Sequence, residues 1–210
     1  MATGSFIDNK LKSLSLASKW PELSGSSNPN LAAFNTLLKT EAAKRVAAFR
    51  AESKANRAGG ENWGCDESFD VALVSDRVAS VLMTAGPSTG GAHGSCEASG
   101  YNFDLKSGKE LKLADLFKPG PGFLQLISKY SKADLKKREG LFEDSLKEGV
   151  APKAENFQIW VVTRSGVVIV IEPCRVGPWA AEPQFVTIPF SVLKGIVRAD
   201  GPLATLAKQS

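Results

Sequence analysis

The order of strand-like and helix-like segments is the feature that most constrains the fold of this chain. Alternating or fully apolar runs predict strands, and apolar residues that recur every three or four positions predict helices. From the N-terminus the order is strand, helix, three strands, helix, hairpin, strand and helix. Because several strands follow one another with no helix between them, this order predicts an α+β fold with antiparallel or mixed sheets, not a doubly wound α/β fold.

The first half of the chain supplies one of the two main helices. Apolar side chains recur at helical spacing across residues 30–55, and Asn28 or Asn30 is a suitable N-cap. Basic side chains, namely Lys39, Lys44, Arg45 and Arg50, are assigned to the outer face of this helix. Strands are predicted over residues 11–16, 65–74, 78–84 and 96–105, the last three as an antiparallel meander with a glycine-rich loop at 86–94.

The second half is predicted to contain the other main helix and a hairpin. Its expected elements are a helix at 123–138, a helical turn within 141–150, strands at 157–163, 167–171 and 185–188, and a closing helix at 190–197. Arg164, Ser165 and Gly166 form the hairpin turn. A long loop at 173–183 precedes the last strand.

A chain of 210 residues suits one large domain or two small ones that share a core. Residues 1–5 have the composition of a leader added by cloning and are set aside. Residues 6–105 are predicted to form a smaller N-terminal α+β subdomain, and residues 106–210 a C-terminal domain.

Charge and hydropathy exclude two classes of partner. The net charge is +4, and the most basic run, residues 129–138, mixes Asp134 with its lysines as a solvated helix face would. Nucleic-acid binding requires a basic stripe with interleaved aromatic residues or a known motif, and neither is found. No apolar run reaches the roughly 18 residues of a membrane span.

The three cysteines allow one disulfide bond. Cys65 and Cys96 flank the predicted meander at the same end, so a bridge between them is feasible if the middle strand ends early or bends. Such a bridge would indicate an oxidising compartment, whereas two buried thiols are the alternative. Cys174 is expected to be unpaired. The absence of a Cys-x-x-Cys or Cys/His cluster argues against a metal site.

No catalytic centre or cofactor site is predicted. The single histidine, His93, stands in the glycine-rich loop, either as a ligand-contacting imidazole or as a ring bonded to nearby backbone. That loop lacks the Gly-Lys-Ser/Thr sequence that completes a phosphate-binding loop. Glu61, Asp66 and Glu67 cluster near a strand and are interpreted as surface acids.

Several motifs resemble the RsiV-like family. The loop Thr89-Gly90-Gly91-Ala92-His93, the segments at 101–109 and 111–117, and the closing segments at 163–167, 177–181 and 186–193 look like that family's motifs. Two departures stand out: Cys174 replaces a frequent aromatic residue, and Glu182-Pro183 replaces the usual Gly-Pro.

The resemblance implies an exported α+β domain of the bacterial cell envelope. Such domains form the outer part of lysozyme-binding anti-sigma factors and an accessory region of peptidoglycan deacetylases, and most have no assigned activity. It therefore implies a periplasmic or secreted binding domain without catalysis, whose partner is lysozyme, another wall-associated protein or peptidoglycan. The alternatives are an enzyme acting on wall glycan and a structural envelope protein.

The expected binding residues lie in two loops. Thr89 and His93 stand in the first, and Arg175 and Trp179 in the second. If both loops lie at one end of the sheet, these side chains would form a recognition surface, because Trp and Arg are favoured interface anchors.

Overall fold

The structure is a computed structural model that describes residues 1–11, 14–24, 28–56, 62–90 and 96–209. The strands are β1 Ala2–Leu11, β2 Leu14–Glu22, β3 Trp63–Val74, β4 Val78–Ser88, β5 Glu97–Asp104, β6 Lys109–Glu110, β7 Trp160–Val162, β8 Gly166–Ile171 and β9 Gln184–Pro189. The helices are α1 Pro29–Asn56, α2 Gly122–Leu135, α3 Glu143–Gly149, α4 Phe190–Leu193 and α5 Ala204–Lys208. Short 3₁₀ turns cover Leu113–Leu116, Ala154–Asn156 and Trp179–Ala181.

The strands form two sheets, which confirms the predicted α+β class. One sheet has six strands in the order β1-β2-β3-β4-β5-β6, and the other has three in the order β7-β8-β9. The larger sheet is mixed, because β2 pairs antiparallel with β1 but parallel with β3. A parallel neighbour needs a crossover connection, and α1 provides it between β2 and β3.

The N-terminal strand differs from the sequence prediction. The single strand expected over residues 11–16 is replaced by parts of β1 and β2, and residues 12–13 lie outside the described residues. The expected leader also takes part in the fold, because Ala2 pairs with Glu22 and Ser5 with Lys19. These pairs satisfy backbone groups that a detached leader would leave to water.

Helix α1 forms where the apolar spacing predicts it. Asn28 caps its start, since its Oδ1 accepts a hydrogen bond of 2.9 Å from the backbone nitrogen of Asn30. Its buried stripe consists of Leu31, Phe34, Leu38, Ala42, Val46 and Phe49. This face supplies apolar side chains to the core of the first part of the chain, where Val46 and Phe49 pack with Leu14, Leu16 and Trp63.

The described chain divides into two compact units whose boundary runs through the large sheet. The first comprises Met1–Val71 and Leu82–Ser99, and the second Ala72–Val81 and Gly100–Ser210. This partition differs from a division at residue 105, because β3, β4 and β5 each contribute residues to both units. The core of the second unit includes Leu73 and Val78 together with apolar side chains of β7–β9.

The three-stranded sheet follows the predicted hairpin closely. Strands β7 and β8 are antiparallel, with Trp160 opposite Ile169, and β9 continues the sheet on the other side of β8. The closing helix expected over residues 190–197 ends at Leu193, because Val197 instead forms a β-bridge with Phe117. Helix α5, which was not predicted, follows it.

The edge of β7 is satisfied by side chains of the long strands. Asn102 donates a hydrogen bond of 2.8 Å to the backbone oxygen of Trp160, and the backbone nitrogen of Val162 donates one of 2.8 Å to Ser80 Oγ. Ser80 in turn donates to Asn102 Oδ1 over 2.6 Å. Because all of these groups are buried, the network replaces the strand partner that β7 lacks on this side.

Candidate functional site

A cavity of about 250 Å³ in the first unit is the most developed candidate site among the described residues. One wall comes from α1, where Phe49 is four positions after Arg45 and three before Glu52, so these side chains share a face. Val46, three positions before Phe49, borders the same face. The opposite wall comes from one face of the large sheet. We call this space the Arg45 cavity and define it by its lining: Leu16, Ala17, Ser18, Arg45, Val46, Ala48, Phe49, Glu52, Cys65, Glu67, Ala85, Pro87, Thr89 and Glu97.

The sheet wall follows from strand register. Leu16 stands beside Cys65 and Ser18 beside Glu67 in the parallel pairing of β2 with β3. Side chains two apart on a strand point to the same face, so these four lie on one surface. Ala85 of β4 adds to the same cavity.

A buried ion pair forms the inner end of the Arg45 cavity. The guanidinium of Arg45 donates from Nε to one carboxylate oxygen of Glu67, and the hydroxyl of Ser18 donates to the other. The Glu67 side chain is only 3% exposed and that of Arg45 is 27% exposed. Both oxygens of this carboxylate are therefore engaged, as burial of a charge requires.

The outer end of the Arg45 cavity is acidic and accessible. Glu52, Thr89 and Glu97 are exposed there. Glu52 and Glu97 have no ion-pair partner within the described residues. With Glu67 and Arg45, the described residues of the lining carry three carboxylates and one cation, a net charge of −2.

Burial first, and then the carboxylates of Glu67, Glu97 and Asp66, raise the pKa of the Cys65 thiol to about 11, while Arg45 opposes them. The thiolate is the reactive form of cysteine, so Cys65 is a poor nucleophile at neutral pH. The same shift indicates that negative charge outweighs positive charge around this side chain.

Cys65 and Cys96, both among the described residues, are not joined by the expected disulfide bond in the structure. All three cysteines are thiols. Strand β4 lies between β3 and β5 and continues to Ser88, beyond the predicted end at residue 84. Strands two positions apart in a sheet are separated by about 9–10 Å, more than the roughly 7 Å that a disulfide bond tolerates between Cα atoms.

The expected glycine-rich loop is shorter than predicted. Gly86 and Pro87 belong to β4, so only the part after Ser88 can be a loop. His93 lies outside the described residues, and the prediction that it contacts a ligand stays open. Thr89 lies at the outer end of the Arg45 cavity.

The two other predicted binding residues lie in the second unit. Arg175 forms a hydrogen bond of 3.1 Å with Asn156 and an ion pair of 3.6 Å with Glu172. Trp179 is 43% exposed in the connection between β8 and β9. The two residues belong to the same connection, whereas Thr89 belongs to the first unit, and a surface common to all of them stays a prediction.

Glu67 and Arg45 were not predicted as site residues, although the spacing of both along the sequence indicates a buried face. Glu67 was interpreted as a surface acid, yet it alternates in step with the apolar side chains Phe69, Val71 and Leu73 and so lies on the same face of the predicted strand. Arg45 was placed on the outer face of its helix. It nevertheless continues the helical spacing of the buried Leu38 and Ala42, and a charge on such a stripe indicates a buried partner.

The described part of the chain contains neither a metal-binding group of side chains nor a membrane-spanning helix. Its His, Cys, Asp and Glu side chains form no group of three or more that could hold a metal ion. None of its helices is long and apolar enough to cross a membrane.

The fold of this chain is similar to that of solved DUF3298-family structures. A crystal structure of a DUF3298-family member from Bacteroides fragilis is 17% identical, with a TM-score of 0.67 over 100% of this chain and 98% of that chain. A DUF3298-family protein from Pseudomonas aeruginosa is also 17% identical, with a TM-score of 0.64 over 94% of each chain. The α+β architecture is thus shared with solved DUF3298 structures.

The sequence comparisons add a more particular similarity. Residues 114–191 match the family model described as "Protein of unknown function (DUF3298)". The chain is 31% identical over 111 residues to the peptidoglycan-N-acetylmuramic acid deacetylase PdaC of Bacillus subtilis (strain 168). This match covers 52% of the chain but only 24% of the deacetylase. The predicted similarity to a part of a peptidoglycan deacetylase is confirmed.

Proposed function

We propose that this chain is a non-catalytic, extracytoplasmic domain that binds a glycan component of the bacterial cell wall. The observation that carries the proposal is the similarity between 52% of the chain and part of an enzyme that acts on peptidoglycan. A wall-binding domain would hold such an enzyme, or any protein that contains it, close to its polymer. Peptidoglycan lies outside the cytoplasmic membrane, which is the basis for the proposed location.

The Arg45 cavity lies before residues 114–191, the part that the family model matches, so its assignment as the binding site rests on its own size and lining, which suit a sugar unit. Its volume of about 250 Å³ is below the roughly 300–1,000 Å³ of sites for drug-sized ligands. Leu16, Val46 and Phe49 offer an apolar surface for a ring, while Thr89 offers a hydroxyl group to ring substituents. This combination of apolar wall and few polar groups is typical of small-molecule sites.

The two groups at the inner end of the cavity, Glu67 and Cys65, are unsuited to catalysis. A general base or nucleophile needs a free electron pair and a suitable pKa. Both oxygens of Glu67 are engaged by Arg45 and Ser18, and the raised pKa keeps Cys65 protonated.

The proposal is tested by sedimenting the protein with insoluble peptidoglycan. Ala48 is exposed and lines the cavity, whereas the neighbouring Ala47 is exposed but does not line it. Ala48→Trp is expected to fill the cavity and weaken wall binding at least tenfold. Ala47→Trp changes the same helix in the same way and is expected to bind as the parent does.

Two results would contradict the proposal. Failure of the parent protein to sediment with peptidoglycan would remove the wall-binding function. Release of acetate or of soluble sugar from the polymer by the parent protein would show that the domain is an enzyme.

A protein partner, with lysozyme as the specific case, is the second candidate. The observation that favours it is a group of exposed aromatic side chains beside the β8–β9 connection, Phe142, Trp179 and Phe185. Phe142 is anchored there by a backbone hydrogen bond of 3.0 Å to Val176, and Arg138 binds the backbone oxygen of Phe185 over 2.7 Å. Exposed aromatic side chains are frequent interface anchors.

Calorimetric titration with lysozyme tests this second candidate. Heat of binding at micromolar concentration that is lost in Trp179→Ala would support it, with Val192→Ala as a control that removes another exposed apolar side chain. An absence of heat would eliminate lysozyme. The positive charge of both proteins opposes their association, because animal lysozymes are basic and this chain carries a net charge of +4.

A further inference from the structure

The charge of the Arg45 cavity is opposite in sign to that of the whole chain. The chain carries +4, whereas the lining of the cavity carries −2. The acidic side chains are arranged in depth, with Glu67 at the buried end and Glu52 and Glu97 at the exposed end. A lining of this charge attracts cations and repels anions.

The single cation of the lining does not neutralise the two outer carboxylates. Arg45 donates to Glu67 from Nε, and its Nη2 lies 3.3 Å from the sulfur of Met83. Glu52 lies about two helical turns beyond Arg45 on α1. Glu97 is the first residue of β5. Their negative charges are thus available to a ligand.

The thiol of Cys65 reports the same negative field from inside the cavity. After burial, the carboxylates of Glu67 and Glu97 are the next largest causes that raise its pKa. The effect comes from the same carboxylates that line the cavity, acting on one atom of its wall.

We infer that the Arg45 cavity binds a hexosamine whose 2-amino group is not acetylated and carries a positive charge. An ammonium group has three hydrogen-bond donors and no acceptor, which suits a position between the carboxylates of Glu52 and Glu97. The sugar ring then lies against the apolar side chains of Leu16, Val46 and Phe49. An acetylated amine is neutral and bulkier, so it loses the charge interaction and fills more of a small cavity.

This inference rests on the proposed wall-binding function and names the form of the sugar that is recognised. The relative to which the chain is similar is named for removal of the acetyl group from N-acetylmuramic acid in peptidoglycan. Hydrolysis of an N-acetyl group leaves a free amine on the sugar. A domain with this preference would bind wall glycan after a deacetylation reaction has taken place.

The inference is tested by titrating the full chain with glucosamine and with N-acetylglucosamine at slightly acidic pH. Glucosamine is expected to bind at least tenfold more tightly. Glu97→Gln and Glu52→Gln are each expected to reduce that preference several-fold, and the double variant to abolish it. Both side chains are exposed, so their replacement by the isosteric amide leaves the core unchanged.

Asp70→Asn provides the matched control. Asp70 is exposed on β3, and its even number places it on the face of the strand opposite Glu67. This substitution removes one negative charge at a position outside the cavity. The variant is therefore expected to prefer glucosamine as strongly as the parent does. In the parent, added salt is expected to reduce the preference for glucosamine over N-acetylglucosamine, because salt screens charge interactions. The double variant should show no such dependence on salt.

The outcomes separate this inference from the proposed function. Equal affinity for the two sugars in a protein that still sediments with peptidoglycan would overturn the amine preference and leave wall binding intact. Loss of sedimentation together with loss of both titrations would overturn both. An unchanged preference in the double variant would also overturn the assignment to Glu52 and Glu97.

Discussion

The thiol of Cys65 shows how one side chain depends on its neighbours. It lies half-buried in β3 beside three carboxylates, and its pKa is raised to about 11. Cys96 and Cys174 are exposed. We expect an aromatic disulfide reagent at pH 8 to modify Cys65 about a hundredfold more slowly than the exposed thiols, because only the thiolate reacts.

The slow phase should accelerate as the pH rises towards 11 and should be absent in Cys65→Ser. The same reagent is expected to count three thiols in the denatured chain without reductant. A count of one thiol would instead show that Cys65 and Cys96 form a disulfide bond.

The backbone conformation of Glu182 predicts that its replacement by glycine stabilises the protein. Its φ of 55° and ψ of 178° lie in a region that glycine adopts readily and other residues rarely do. Strain of this kind costs on the order of 1–3 kcal/mol. Glu182→Gly is therefore expected to raise the free energy of unfolding by about 1 kcal/mol in denaturant titration.

Glu182→Ala separates backbone strain from the loss of the carboxylate. Alanine removes the charge but keeps the Cβ atom, so its free energy of unfolding should remain near that of the parent. Equal stabilisation by alanine and glycine would assign the effect to charge and not to φ.

At the scale of elements, the buried network around Asn102 holds the edge of β7. Asn102→Leu retains the approximate size of the side chain but removes the donor to the backbone oxygen of Trp160 and the acceptor of the Ser80 hydroxyl proton. Buried unpaired polar groups cost about 1–3 kcal/mol each. We expect the free energy of unfolding to fall by about 2–3 kcal/mol in a denaturant titration.

Ser68→Ala is the control for the Asn102 variant. Ser68 is exposed and forms a hydrogen bond of 3.0 Å with Thr84 in the same sheet. Its loss should change stability by less than about 0.5 kcal/mol. Similar unfolding midpoints for the two variants would show that the buried network does not stabilise β7.

At the scale of the whole molecule, the two compact units depend on segments that the sequence analysis assigned elsewhere. Ala72–Val81 and the residues from Gly100 onwards belong to the second unit, and they supply Val78, Ser80 and Asn102 to its interior. The fragment 106–210 lacks all three. It is expected to give no cooperative unfolding transition in circular dichroism, because its core and the edge of β7 are incomplete.

The fragment 72–210 is the matched comparison because it restores both segments. It should regain near-ultraviolet dichroism that the shorter fragment lacks. A cooperative transition in 106–210 alone would instead support an independent C-terminal domain that begins at residue 106.

The sequence by itself determined the elements with strong local periodicity. It predicted the α+β class, and it predicted α1 and the β7–β8 hairpin close to their observed bounds. Apolar spacing, the Asn28 cap and turn residues are local signals, so they need no knowledge of distant partners. The same local signals did not locate the end of β4 or of the closing helix, because strand ends depend on pairing across the sheet and Val197 pairs with the distant Phe117.

Only the tertiary structure decided the Arg45 cavity and the state of the cysteines. Arg45 and Glu67 are 22 positions apart, and they meet because β2 pairs in parallel with β3 across the α1 crossover. Cys65 and Cys96 stay apart because β4 lies between their strands. Periodicity fixes which face a side chain occupies, whereas the order and direction of strands depend on contacts across the whole sheet.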